Sequence, residues 1–236
     1  MEFHDIGMRP DTRAVSPAAE IAEKAGLEGE LAELQKRLTA CDENNVGERA
    51  SLQLEVARNL SLLEKGEEAW PLARQALDHF IESEQWENAA EACNVLYLSD
   101  QPDSLAALGQ GIWLAVTYPI NPEVTIELLQ QLIDDTPKDS DGAAVAAATA
   151  AFIADLRATE QPQRNDLIFF TQQMLGNVAR RHSEVESQQQ FDYWIEKLEL
   201  NQPDKFLVRL RNIVDVLVQD NWWFDREELQ SRIPEE

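Results

Sequence analysis

From Leu27 onward, apolar residues recur along this chain at the three-and-four spacing of helices, separated by short polar turns. Leu27, Leu31, Leu34 and Leu38 share one face. Ser16-Pro17 supplies a hydroxyl cap and a first-turn proline ahead of them, and the helix should end near Thr39. Leu52, Val56, Leu60 and Leu63 form the next stripe, with Gly66 marking its end. A further helix is expected to start near Trp70-Pro71, where proline is tolerated, with Leu72, Ala73, Ala76, Leu77 and Phe80 inward. Glu84-Gln85 interrupts, and Trp86, Ala89, Ala90, Cys93, Leu96 and Tyr97 repeat the pattern. Asp103 is placed to cap a helix carrying Leu105, Leu108, Ile112 and Val116, in which Gly109 and Gly111 leave room for close approach.

Asn121 and Pro122 open another helix with Val124, Ile126, Leu129, Leu132 and Ile133. The stretch from Ala143 to Ala158 is almost pure helix former, with small side chains all round, and predicts a buried central helix. Beyond Gln161–Asn165 come three more apolar stripes: Leu167 to Val178, Phe191 to Leu198, and Phe206 to Leu217. Ser183 and Glu186 have capping-box spacing ahead of the second, and Asp225 and Glu228 ahead of a last short turn. No alternating β-branched run bounded by a hairpin turn occurs. The expectation is all-α, about ten helices with short connections. It divides into a loose tail (1–15), a helical array (16–160) and C-terminal helices packed on the array (164–236).

Ala57, Ala69 and Ala76 stand twelve and seven residues apart, with Lys65-Gly66 between the first two. Two helices joined by a short turn touch closely only where side chains are small. This spacing resembles the core of a tetratricopeptide repeat, and Trp86 with Ala89 resembles the start of a repeat's second helix. Gln53 stands where that family has tryptophan, Ile81 where it has proline, and no second unit follows at a strict 34-residue interval. The resemblance covers about residues 50–100. It implies antiparallel hairpins stacked as an α-solenoid with a concave protein-binding face. An irregular helical bundle is the alternative architecture.

The formal net charge of −24 changes the functional picture. From Gln75 to Asp155 there are 14 acidic residues and one base, Lys138. Such a field repels phosphate backbones and anionic lipid, which argues against nucleic-acid and membrane roles and favours a basic or amphipathic protein partner. Solubility alone also accounts for an acidic surface. The N-terminus has no basic-then-apolar signal pattern, so the cytoplasm is the default compartment. Cys41 and Cys93 belong to no paired redox or metal spacing.

Candidate chemistry is thin. His79 and Glu82 share a helix face but lack further ligands, and His182 suits a helix C-terminus. Asp134-Asp135 has the character of a solvated turn, and Gly109-Gln-Gly111 lacks the strand that precedes a phosphate loop. The expectation is therefore a non-enzymatic protein with no catalytic residue, metal or cofactor, binding another protein as adaptor, assembly factor or accessory subunit. The candidate contact residues are Trp113, Tyr118, Trp222, Trp223 and Phe224. Successive helical residues point about 100° apart, so one helix face cannot bury all of Trp222, Trp223 and Phe224. Either some of them meet a partner, or the chain turns there and all three plug the end of the stack. The rival readings are a small-molecule enzyme or ligand carrier with a pocket between helices, and a structural homo-oligomer. Basic Arg180, Arg181, Lys205, Arg209 and Arg211 gather in the last third and would suit head-to-tail self-association.

Overall fold

The computed structural model describes residues 17–233, and these hold eleven α-helices and no strand. They are α1 (Pro17–Ala40), α2 (Val46–Leu62), α3 (Gly66–Glu82), α4 (Trp86–Leu98), α5 (Ser104–Thr117) and α6 (Pro122–Asp135). After them come α7 (Asp141–Arg157), α8 (Gln163–Ser183), α9 (Gln188–Lys197), α10 (Pro203–Val218) and α11 (Arg226–Ser231). The tail expected at 1–15 and the Ser16 cap lie outside the described residues.

Each helix from α1 to α8 packs against the next, as stacked hairpins do, and α2, α4, α6 and α8 also touch in that order. The small residues named above make the seams. Ala57, Ala69 and Ala76 are each 0% exposed, and the stripe Leu52, Val56, Leu60 and Leu63 is buried with them. α10 departs from the sequence order. It turns back and packs against both α5 and α7. Gly109 allows this, because a Cβ there would sit 2.6 Å from Val218 Cγ2 at the end of α10. On the same helix, a Cβ at Gly111 would lie 2.8 Å from Cys93 Cβ. α7 is the buried alanine helix expected from the sequence, with ten of its residues buried. At its end Arg157 donates to the Ala115 and Val116 carbonyls at 2.7 and 2.8 Å, tying α7 to the C-terminus of α5.

Three local expectations are corrected. Gly66 does not end α2; it is the first residue of α3, and α2 stops at Leu62. Glycine is needed there because a Cβ would fall 1.9 Å from the Ser99 carbonyl oxygen, between α4 and α5. Pro71 consequently lies inside α3, forgoing one backbone bond, and does not open it. The capping box before α9 is Ser187 with Gln190. α8 runs on through Ser183 to a left-handed Glu184, so the Ser183–Glu186 frame never becomes a helix start. Asp103 makes no side-chain cap. Ser104 Oγ accepts from Gln101 N–H at 2.8 Å and donates to the Leu96 carbonyl instead. Asn121 does cap α6 through Glu123 N–H, and Asp225 caps α11 through Glu227 and Glu228 N–H.

Helix ends share one device. Glu64, Glu84 and Glu199 have φ of 60°, 57° and 54°. The following amide in each case returns to the carbonyl five residues back: Lys65 to Leu60, Gln85 to Phe80, Leu200 to Ile195. These are Schellman ends in which a carboxylate residue occupies the position glycine usually takes.

Candidate functional site

Four of the five sequence-predicted contact residues, Trp113, Tyr118, Trp222 and Phe224, share one aromatic cluster, and Trp223 lies apart from it. Trp113, on α5, is 8% exposed and Tyr118, just beyond it, is 4% exposed. The chain leaves helical geometry after Val218, and Trp222, Trp223 and Phe224 fold onto α3 and α5, each partly buried. Trp222 and Phe224 lie 6.1 and 5.4 Å from Trp113 between ring centroids. Trp223 goes to the other side, meeting Trp70 edge-on at 6.0 Å with the Arg74 guanidinium 4.7 Å over its ring. Arg226 covers Trp222 at 3.9 Å, and Tyr118 stacks on Trp86 at 4.0 Å. All three consecutive aromatics make ring contacts within the chain, and each keeps part of its surface exposed.

Holding this segment is Gln110, a residue the sequence reasoning passed over. Its side chain is 0% exposed, accepts from the Trp223 N–H at 2.8 Å and donates to the Asn221 carbonyl at 3.4 Å. The available signal was a polar amide at a core position of an otherwise apolar helix. Burial raises the Tyr118 phenol above its ordinary pKa, and its O–H donates to the Leu229 carbonyl at 2.9 Å.

A second aromatic hollow lies open between α7, α8, α9 and α10. Phe152, Leu175, Phe191, Ile195 and Phe206 are among its apolar walls, and its volume is about 580 Å³. Phe152 and Phe206 meet edge-on at 5.9 Å on its floor. The charged residues lining it are all acidic: Asp155, Asp192 and Glu196. Asp155 is paired with Arg164 at 2.6 Å, and Asp192 accepts from the Gln188 amide. Tyr193 on α9 is 66% exposed. The sequence marks Phe191 and Phe206 as stripe residues of separate helices, and no spacing shows that they meet, since the lining comes from four helices.

Reactive groups are committed elsewhere. His182 accepts at Nδ1 from the Trp194 indole (3.2 Å), which makes Nε2 the donor to Asp141 at 3.2 Å. Ser183 Oγ is 2.7 Å from the same Nδ1, giving an Asp-His-Ser series. Trp194 competes for the lone pair such a series would use, and Arg209 holds Asp141 at 3.0 Å, so the arrangement locks α7, α8, α9 and α10 together. Of the carboxylate pair, Asp135 accepts from Tyr97 O–H at 2.8 Å and Asp134 from Gln130 at 2.8 Å. The Tyr97 phenol is raised by burial first and by the Asp135 bond second. Burial pushes the Cys93 thiol up to about 12, leaving it neutral and unreactive. Four of the five basic residues of the last third are partnered: Arg180 donates to Asn177, Arg181 to the Ile133 carbonyl, and Lys205 and Arg209 pair with Glu199 and Asp141.

Among the described residues no group of three or more His, Cys, Asp or Glu side chains is placed to hold a metal ion, and no helix is long and apolar enough to cross a membrane. No protein-family model matches this chain, and comparison with curated proteins and with solved structures gives no match either, so the functional argument rests on its own surfaces.

Proposed function

We propose that this protein is a non-enzymatic binding scaffold, an adaptor, assembly factor or accessory subunit. In this reading its hairpins form a tetratricopeptide-like α-solenoid, and the groove between α7 and α10 receives a basic amphipathic helix of a partner protein. Sequential helix packing and the fully buried Ala57, Ala69 and Ala76 support the solenoid. The observation that carries the function is the groove itself. An apolar floor with only carboxylates among its charged walls complements a helix with one apolar face flanked by Lys or Arg.

The test is a photo-crosslinker at the exposed Tyr193 in full-length protein, compared with the same protein carrying Asp192→Lys and Glu196→Lys. A stoichiometric partner should cross-link through a basic, amphipathic segment, weaken with salt, and be lost from the charge-reversed variant at unchanged melting temperature. Cross-linking through an acidic or purely polar segment, or equal capture by both proteins, refutes the reading. The groove volume also lies in the range of small-ligand sites, so native mass spectrometry retaining a small apolar molecule on the purified chain would favour the ligand-carrier reading instead.

A further inference from the structure

We propose that the cradle formed by α3 and α5 is a binding site for an aromatic-rich peptide that runs on into a short helix. In this state it is filled by the chain's own residues 221–233, and it is open to the same segment of a second copy. The proposal is independent of the groove between α7 and α10.

Recognition of main chain is the first support. Gln110 is fully buried; its carboxamide oxygen accepts from the Trp223 N–H, and its NH2 donates to the Asn221 carbonyl and to the Ala106 carbonyl of its own helix. A site that reads backbone holds a segment whatever its side chains, which is how peptide sites gain affinity. Side chains then supply selectivity. Trp222 and Phe224 go to Trp113 on one side, while Trp223 goes to Trp70 and Arg74 on the other. The backbone bends at Trp223 and Phe224, and that bend sends neighbouring rings to two different pockets of the cradle.

The segment is also built to leave. Gln219, immediately after α10, has φ 52° and ψ −125°, a conformation natural to glycine and costly for glutamine. Past the clamp, α11 buries one side chain, Leu229. Its remaining ties include the Tyr118–Leu229 hydrogen bond and an Arg232–Glu84 pair at 3.4 Å. Straightening residues 219–220 would relieve Gln219 and free the whole segment without disturbing α10, which is anchored on α5 and α7. The second copy follows because complementarity to this cradle is displayed by one sequence, residues 221–233. Exchange between copies re-forms every contact in trans.

A fluorescent peptide of residues 217–233 tests this against two full-length proteins. One is wild type; the other carries Trp222→Ala, Trp223→Ala and Phe224→Ala, so its own segment no longer fills the cradle. The triple variant should bind about tenfold more tightly or better, because cis occupancy multiplies the apparent affinity of wild type by the fraction open. Adding Gln110→Leu should abolish that gain. A folded triple variant that ignores the peptide overturns the proposal. If the triple variant does not fold, wild type decides. Amides of residues 221–233 should then exchange with deuterium about tenfold faster than those of α5, reporting a separate opening. Copies labelled at Cys41 with donor and acceptor should transfer energy at high concentration, suppressed by excess peptide. Exchange of both regions together, with no energy transfer, overturns it.

Discussion

Between α3 and α5, the aromatic rings of Trp70 and Trp113 are covered by residues 222–224 of the same chain. Between α7 and α10, Phe152 and Phe206 lie at the bottom of an open groove. The two hollows have similar walls and opposite electrostatic completion. In the first, Arg74 and Arg226 already lie over Trp223 and Trp222, so charge and ring are matched within the molecule. In the second, the charged lining is carboxylate alone. The filled hollow is closed by the chain's own rings and guanidinium groups; in the open one Arg164 answers Asp155, while Asp192 and Glu196 have no ion pair among the described residues.

The contrast breaks most readily at its best-packed residue. Trp113→Ala should cost about 3–5 kcal/mol in denaturant unfolding, while Tyr193→Ala, exposed on the helix whose Asp192 and Glu196 line the open groove, should stay within about 0.5 kcal/mol. Comparable losses at both sites would mean the hollows are not different in kind. A smaller effect is expected from filling the open hollow. Ala151→Leu should change stability by no more than about 1 kcal/mol while blocking cross-linking at Tyr193, because its wall faces solvent space and not a packed neighbour.

The weakest effect is one of pH beneath the filled hollow, where Cys93 packs against Gly111. Its folded pKa is raised, so the unfolded chain loses the thiol proton first. The stability this represents is whole below pH 9 and drains away as pH rises toward 12. Cys93→Ala should flatten the fall in melting temperature across that window. An unchanged slope would place the titration at other groups, Tyr97 among them.

Helix positions were legible because burial on one side of a rod imposes its period on the sequence. The stripes of α2, α3 and α4 fall in the core residue by residue. Gly66 was misread because glycine as a stop and glycine as a contact look the same locally. The contact it serves is the Ser99 carbonyl, thirty-three residues away in sequence. The 100° step between neighbouring side chains holds only inside a helix, and Trp222–Phe224 lie outside one. The chain has left the helix at Val218, and a non-helical backbone distributes the three rings to two sides. Neither Gln110's partners nor the open groove leave any periodic trace, because each is assembled from segments that meet only after folding.

Five of the left-handed corners in this molecule, at Glu64, Glu84, Asp100, Glu184 and Glu199, carry carboxylates where a bare hydrogen would be easier. Glu84 and Glu199 are paired with Arg232 and Lys205, and the negative charge left at Glu64, Asp100 and Glu184 repels the bends of any neighbouring molecule. It therefore discourages edge-on aggregation of identical stacks, leaving the hollows between helices as the places where another chain can come near.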